Sequence, residues 1–528
     1  MNGFSVRIVM RFVLLLTLAP GWAAAQTLQD GLRALEGEQH DRAHAIFRAL
    51  LARAPTAEHH FHMGRYYLAA QQPDSARLHF EQALAEDPRS GLNHVGMGEA
   101  EIARGNLTQA AQHFEQAKKV TKSRDAAVFY YIGLAYMRHE AKDLQASIVA
   151  LNEAVRLDPD QAEYYVALGE AYEQGGDASA AAINYDRAGY RDPGLASAHV
   201  HAGDLYVRAR NYGEAMKEYE EGMAADSGYA PVHRSLAELY FLAKQYDQAV
   251  AHYRRYIDLT RATPEKLFTY AGYLHLNKQY TESLEALLAL DGTYENPVAH
   301  RLLAYNYFET GQFEEGLMQM QAFFERADSA GLLDSDYEYF GRLHLAAGAD
   351  TLAAIEYLRK AVAADTSKWS LHRDIATAYL SSKHYEDAAR EYESMAARGL
   401  TLKGTDYLNL GKAYFFDARF AEADSAFARV NAMAGTSAVG WLWRGRSSAQ
   451  IDSTAVEGRA APFYEKYIEL TPDTSRYQRE LIEAHYYLAS YYYLQNDFAR
   501  VEEHVNAVLA LDPAHEHARA LMAAARQP

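Results

Sequence analysis

The sequence predicts an all-α fold, an α-solenoid of about fourteen helix-turn-helix repeats closed by a C-terminal capping helix. Three observations predict it. Small residues recur in a single register at Gly31, Gly64, Gly98, Gly133, Gly169, Gly203, Ala237, Ala271, Ala304, Gly341, Ala376, Gly411, Gly445 and Ala489. Their mean step is about 35 residues, the period of stacked helical hairpins. Twelve residues after each comes a second small residue, at Ala43, Ala76, Ala110, Ala181, Ala215, Ala249, Ser283, Gly316, Ala388 and Ala423. Val501 keeps that spacing with a larger side chain, and short insertions delay the second small residue to Ser147, Ala354 and Ala460. Finally, Gly and Pro are scarce, 33 and 13 in 528 residues, against about 63 expected together at average usage. A chain with so few turn residues spends its length in helices.

Taken in order, residues 1–25 read as an export signal. Arg7 and Arg11 precede the apolar run Phe12 to Ala19, a Pro20-Gly21 break and Ala23-Ala24-Ala25, the pattern of a cleavable secretory segment. Arg11 leaves the apolar run short of the ~20 residues of a membrane span. In each repeat, the position four beyond the second small residue is apolar or aromatic, as at Phe47, Phe80, Phe114, Leu151, Tyr185, Tyr219, Tyr253, Tyr392, Phe427 and Tyr464. The i, i+4 step puts both on one face of the second helix. Small residues on both helices let the backbones approach, and the large side chain fills the space beside the contact. One such hairpin cannot bury its own apolar face, so neighbours must stack.

Prolines mark the ends. Asp87-Pro88, Asp158-Pro159, Asp192-Pro193 and Asp512-Pro513, with Pro55 and Pro472, close second helices, since proline cannot continue a helix. Pro231, Pro264 and Pro297 fall where first helices begin, a tolerated position. Only Pro462 falls inside an expected helix. Gly105-Asn106, Gly175-Gly176-Asp177 and Gly311-Gln312 supply turns between helices. Two stretches break the pattern: 327–336, read as a joint between two arrays, and 447–458, read as a loop inserted in the thirteenth repeat. After Pro513, the spacing of Ala518, Leu521, Met522 and Ala525 predicts an amphipathic cap for the open end.

The fifth repeat, residues 162–195, carries Tyr165, Leu168-Gly169, Tyr172, Ala181, Tyr185, Ala188 and Pro193. This pattern resembles the tetratricopeptide repeat (TPR) family, a helix-turn-helix unit of 34 residues, and the resemblance covers about residues 26–513. It implies a right-handed superhelix and explains much of the tyrosine excess, because Tyr67, Tyr136, Tyr172, Tyr206, Tyr240, Tyr307, Tyr379, Tyr414 and Tyr492 share one packing slot. The expected organisation is a signal at 1–25, an N-terminal array at 26–326, the joint at 327–336, a C-terminal array at 337–513, and a capping helix and tail at 514–528.

The formal net charge is −18, and −20 without Arg7 and Arg11, which disfavours nucleic acid. No cysteine is present, so disulfides, thiolate catalysis and a cysteine lipid anchor are ruled out. An exported chain of this length without disulfides suits the bacterial periplasm, with secretion the other destination. No nucleophile-elbow, phosphate-loop or zinc-protease motif occurs; no enzyme, cofactor or metal is expected. His59, His60 and His62 point in different directions on a helix, as His515 and His517 do.

The resemblance implies binding of a protein or peptide in the concave groove lined by first helices. Glu163, Glu170, Glu173 and Asp204 place acids in its middle, while Arg234, Arg301, Arg342, Arg373, Lys412 and Arg446 make its C-terminal half basic. An anionic peptide segment or an exported anionic polysaccharide would find bidentate arginine donors there. Arg373, Asn409 and Lys412 echo in part the inward set of the family's chaperone-tail clamp. Trp441 occupies a packing slot, whereas Trp443 is expected to face the groove beside Arg446, a pairing of residue types common at binding hot spots. The candidate contacts are therefore Arg301, Arg342, Arg373, Asn409, Lys412, Trp443 and Arg446, in a scaffold of the cell envelope.

Overall fold

The computed structural model describes residues 27–139, 142–290, 294–328, 331–472 and 475–526. The export signal expected at 1–25 lies outside the described residues. All regular structure among them is helical, in fourteen consecutive antiparallel pairs and a final single helix. Hairpins 1 to 4 pair Leu28–Glu36 with His40–Arg53, Ala57–Ala69 with Pro73–Glu86, Gly91–Ala103 with Leu107–Val120, and Ala126–Arg138 with Leu144–Leu157. Hairpins 5 to 8 pair Ala162–Gln174 with Ala178–Arg191, Ala196–Arg208 with Tyr212–Ala225, Ala230–Leu242 with Tyr246–Leu259, and Pro264–Leu276 with Tyr280–Leu288.

Hairpins 9 to 11 pair Pro297–Glu309 with Phe313–Arg326, Asp334–Ala346 with Thr351–Ala364, and Ser370–Ser381 with Tyr385–Ala397. Hairpins 12 to 14 pair Gly404–Phe416 with Phe420–Met433, Ala438–Ile451 with Ala461–Glu469, and Gln478–Leu494 with Phe498–Leu511. Glu516–Ala525 is the cap, and it turns Ala518 and Met522 into the last core cluster. Two compact units divide between Tyr294 and Glu295, after hairpin 8. The 327–336 stretch lies inside the second unit and passes into hairpin 10 at Asp334.

The register of small residues is a set of locks. A Cβ on Gly31, Gly64, Gly98, Gly169, Gly203 or Gly411 would lie 2.3–2.5 Å from the ring sixteen residues later, on Phe47, Phe80, Phe114, Tyr185, Tyr219 or Phe427. Gly133 and Gly341 are filled in the same way by Leu151 and Leu358. These partners are almost fully buried; Tyr185 and Tyr219 are each 1% exposed. A large side chain removed from water contributes about 1.5–3 kcal/mol, so the slot converts a missing side chain into a buried one on the facing helix. Phe80 is held from both sides, because Gly96 of hairpin 3 approaches it as closely as Gly64 does.

Turns and ends follow local chemistry. Seven residues after the small slot, twelve hairpins place one residue at positive φ, at Gly105, Gly176, Gly311 and Gly348 and also at Glu38, Gln71, Arg210, Lys244, Lys278, Lys383, Ala418 and Asn496. The turn is therefore set by the helix ends, with glycine the unstrained occupant. Asp87, Asp158, Asp192 and Asp512 are extended, as a residue before proline must be. Asp226 and Asp365 end their helices without proline by accepting the amide two residues on, at 2.8 and 2.9 Å. Pro462 proves not to interrupt a helix: the second helix of hairpin 13 starts beside it and is only 9 residues long. The expected 447–458 loop also shifts, since its first helix continues to Ile451 with Ser447 and Ser448 buried, and the connection is 452–460.

In the first unit the stack curls until hairpin 1 meets hairpin 7. Glu38, turned outward by its positive φ of 58°, pairs with Arg234 and accepts the Tyr256 hydroxyl at 2.5 Å. Gln39 donates to the Gly228 carbonyl at 2.7 Å. Burial pushes the Glu38 carboxyl up, but Arg234, Tyr256 and Lys266 outweigh it and hold the group below its ordinary range.

A second periodic contact was invisible in the sequence until the hairpins were paired. Four residues before the small slot, a histidine on the first helix reaches the residue nineteen positions on, in the second helix. The partners are His60 with His79 (3.1 Å), His199 with Glu218 (2.9 Å), His233 with His252 (3.1 Å), His300 with Gln319 (2.7 Å), His372 with Glu391 (2.9 Å) and His485 with His504 (2.9 Å). Tyrosines of the packing slot stack on the second-helix histidines, Tyr67 on His79, Tyr240 on His252 and Tyr492 on His504. A close His–His pair cannot hold two charges, and burial further opposes protonation.

Gly169→Ala, which drives a methyl into the Tyr185 ring, lowers stability by about 1–3 kcal/mol in urea denaturation. Gly272→Ala, one residue beyond a small slot and facing open space, raises it by about 0.5–1 kcal/mol. Separately, burial and His504 depress the His485 pKa to about 4 from 6.5. The folded state thus takes up that proton later than the unfolded chain, and stability present above pH 6.5 is lost as the pH falls toward 4. His504→Gln, the partner type hairpin 9 uses, makes this loss shallower when urea midpoints are followed from pH 7 to 4.

Candidate concave-groove sites

In the second unit the predicted basic series is placed along first helices, but its guanidinium groups are already engaged. Arg301 lies against the fully buried Asp336, donating through Nη2 at 2.8 Å and to the Gly331 carbonyl at 2.6 Å. Asp336 also accepts the Tyr305 hydroxyl at 2.6 Å and the Leu333 amide at 2.7 Å. Arg373 forms a two-pronged pair with Asp406 at 2.7 and 2.9 Å, and Asp406 caps its own helix by accepting the Lys403 amide at 2.8 Å. Arg342 bridges Glu338 and Asp374 at 3.0 and 3.4 Å. Arg446 grips Glu483 through Nε and Nη2 at 2.9 and 2.7 Å.

These arginine forks therefore already hold acids of the same unit. Asp336 and Asp406 sit in the first turn of the next hairpin, five residues before its small slot, within reach of an arginine three residues before the preceding slot. Charge-assisted pairs of this geometry fill the donors that an anion would need. The remaining candidates behave similarly. Asn409 donates to the Tyr392 hydroxyl at 3.2 Å. Trp443 stacks on Phe427 and meets Phe415 and Phe416 edge-on, while Arg446 and Lys412 lie 4.7 and 5.7 Å from its ring. It is half-buried and packs into this aromatic cluster. Trp441 packs on Phe463 as its slot predicts.

The acidic middle is satisfied in the same way. Glu170 pairs with His201 at 2.9 Å; burial pushes the Glu170 carboxyl up, yet His201 holds it below the ordinary range. Glu173 accepts the Tyr185 hydroxyl at 2.7 Å and pairs with Arg208. Asp204 accepts Tyr219 at 2.6 Å and Ser235 at 3.0 Å.

The first unit contains what the sequence reading missed, a concave cavity of about 1000 Å³ inside hairpins 1 to 5. Leu32, Leu35, Leu68 and Ile102 provide apolar wall, and Glu36, Glu163, Arg65 and Arg138 bring both charges to it. Arg65 lies 4.4 Å above the Tyr131 ring, and Tyr130 packs against Tyr164 with ring centres 4.7 Å apart. Glu99, 4% exposed, faces His139 at 3.7 Å. Its carboxyl is raised by burial but held below the ordinary range on balance by His139, Arg65 and Arg138. Glu36 has the opposite balance, its pKa raised by burial and by Glu163. The signal was available: Arg65 and Glu99 each follow a small slot by one residue, as Arg342, Lys412 and Arg446 do.

His59 turns back to the Ala54 carbonyl at 2.6 Å, His60 meets His79, and His62 is buried, so the three do not converge. No helix among the described residues is long and apolar enough to cross a membrane.

Comparison with known proteins agrees with the hairpin register. A TPR repeat model matches residues 137–176, a tetratricopeptide repeat model matches 67–128 and 206–265, and another matches 28–91. Among solved structures, the C-terminal part of a TPR repeat-containing protein from Cytophaga hutchinsonii is 29% identical, covering 48% of this chain and 99% of that one, with a TM-score of 0.41. A TPR protein of Thermus thermophilus is 21% identical over 35% of this chain and 99% of its own, at a TM-score of 0.30. YrrB, described as a TPR protein with an unusual peptide-binding site, is 18% identical over 35% and 95%, at 0.24. No curated protein sequence matches. Repeat register, hairpin pairing and the family matches coincide: the chain carries tetratricopeptide repeats, and such repeats build protein-interaction scaffolds.

Proposed function

We propose that the protein is a non-enzymatic scaffold of the bacterial cell envelope, and that it takes an extended peptide segment of a partner into the concave cavity of hairpins 1 to 5. The observation that carries this reading is the cavity itself. It combines apolar wall, tyrosine faces and charges of both signs, the mixture that binds a peptide's side chains and orients its backbone. Arg65 and Arg138 suit acidic side chains of the partner; Glu36 and Glu163 suit basic ones. The N-terminal pattern of Arg7, Arg11, an apolar run and Ala23-Ala24-Ala25 supports export to the periplasm.

The other reading, an exported anionic polysaccharide held along Arg301, Arg342, Arg373 and Arg446, has less support because each of those groups already serves a carboxylate of its own unit.

Photo-crosslinking from Leu68 and Arg138 in the native envelope tests the proposal. Capture of a defined partner from these positions, weakened by Arg65→Glu, is the expected result. Capture from Tyr190, which is 87% exposed on a second helix, with none from Leu68 or Arg138, contradicts it; capture from Arg373 or Trp443 moves the site to the second unit.

A further inference from the structure

The histidine contact that recurs through the hairpins is made differently in hairpin 6. His199 Nδ1 lies 2.9 Å from Glu218 and 3.6 Å from Glu221, and one ligand atom from each of the three falls within 4.8 Å of the others. Glu221 stands twenty-two residues after the histidine. The same position after His60, His94, His233, His300, His372 and His485 is Gln82, Gln116, Arg255, Ala322, Ser394 and Ala507, so the second carboxylate belongs to hairpin 6 alone among them. The group opens onto a recess of about 280 Å³ that Asp186 of hairpin 5 also lines.

His199 Nδ1 meets Glu218 at hydrogen-bond distance, so an ion bound here takes the place of the proton between them. The observed separations of 2.9 and 3.6 Å bracket the ~3.4 Å edge of a tetrahedron built on bonds of about 2.1 Å. Lys217 approaches Glu221 only at 3.9 Å, from an exposed position, and does not fill the recess.

We propose that His199, Glu218 and Glu221 form a binding site for a divalent transition-metal ion such as Zn²⁺, with Asp186 the fourth protein donor. One imidazole and carboxylate oxygens are a donor set that suits such an ion. Engagement of Asp186 ties hairpin 5 to hairpin 6 beside the Gly203–Tyr219 lock.

Isothermal titration of the EDTA-treated full-length chain with ZnCl2, together with anomalous diffraction at the zinc edge, tests the site. The expected results are an anomalous peak in the hairpin 6 recess and affinity weakened about tenfold or more by Glu221→Gln. Because Glu221 is half-exposed, that variant keeps its helix, checked by circular dichroism, and His199→Asn provides an independent loss. Affinity unchanged in both variants, or zinc found only on the His60–His79, His233–His252 or His485–His504 pairs, overturns the proposal.

Discussion

The contact between a small residue on each first helix and the side chain sixteen to nineteen residues later on the second is the constraint from which the rest of this molecule follows. At Gly98 and Gly203 a methyl group would lie 2.3 Å from the facing ring, so the two backbones are as close as that ring permits. Where alanine takes the slot, the facing residue is Tyr253, Leu287, Met320, Tyr392 or Val505, and the small residue is again buried. Since every hairpin is set by the same contact, each presents the same faces to its neighbours, and stacking buries apolar surface that no single hairpin can cover.

That repetition fixes where charges land. Residues one after the small slot, Arg65 and Glu99, line the cavity of hairpins 1 to 5, and residues five or six before it, Asp336, Asp406 and Glu483, reach back to the preceding hairpin. In the second unit Asp336 and Asp406 use both relations, capping their own helices and holding Arg301 and Arg373 of the hairpin before. A carboxylate that is 0–1% exposed requires such partners, because an unpaired buried charge is strongly destabilising. In the first unit the corresponding charges line an open cavity instead, and the Glu38–Arg234 pair closes the curl of the stack.

Most of the fold was legible because its determinants are local. The small slots, the Asp-Pro ends and the apolar spacing after Pro513 each act within one hairpin, and all fourteen hairpins and the cap lie where these residues put them. Pro462 and the 447–458 stretch were misread because an insertion can lengthen one helix and shorten its partner, as it does between Ile451 and Ala461. The groove was less legible. Its candidate residues were named, but the acids that hold Arg373 and Arg446 lie in the next hairpin, 33 and 37 residues on. Glu38 and Arg234 are 196 residues apart, a contact set by the curvature of the stack rather than by any spacing within a repeat.

A double-mutant cycle across one lock is the most direct measurement of this account. Gly98→Ala and Phe114→Leu are each destabilising alone, one by overpacking and one by leaving a void. Combined, they recreate the Ala271–Leu287 pairing of hairpin 8, and the account predicts that the double variant is more stable than the sum of the single losses by about 1 kcal/mol or more. Losses that simply add, within about 0.3–0.5 kcal/mol, would contradict the claim that these two positions set the hairpin together.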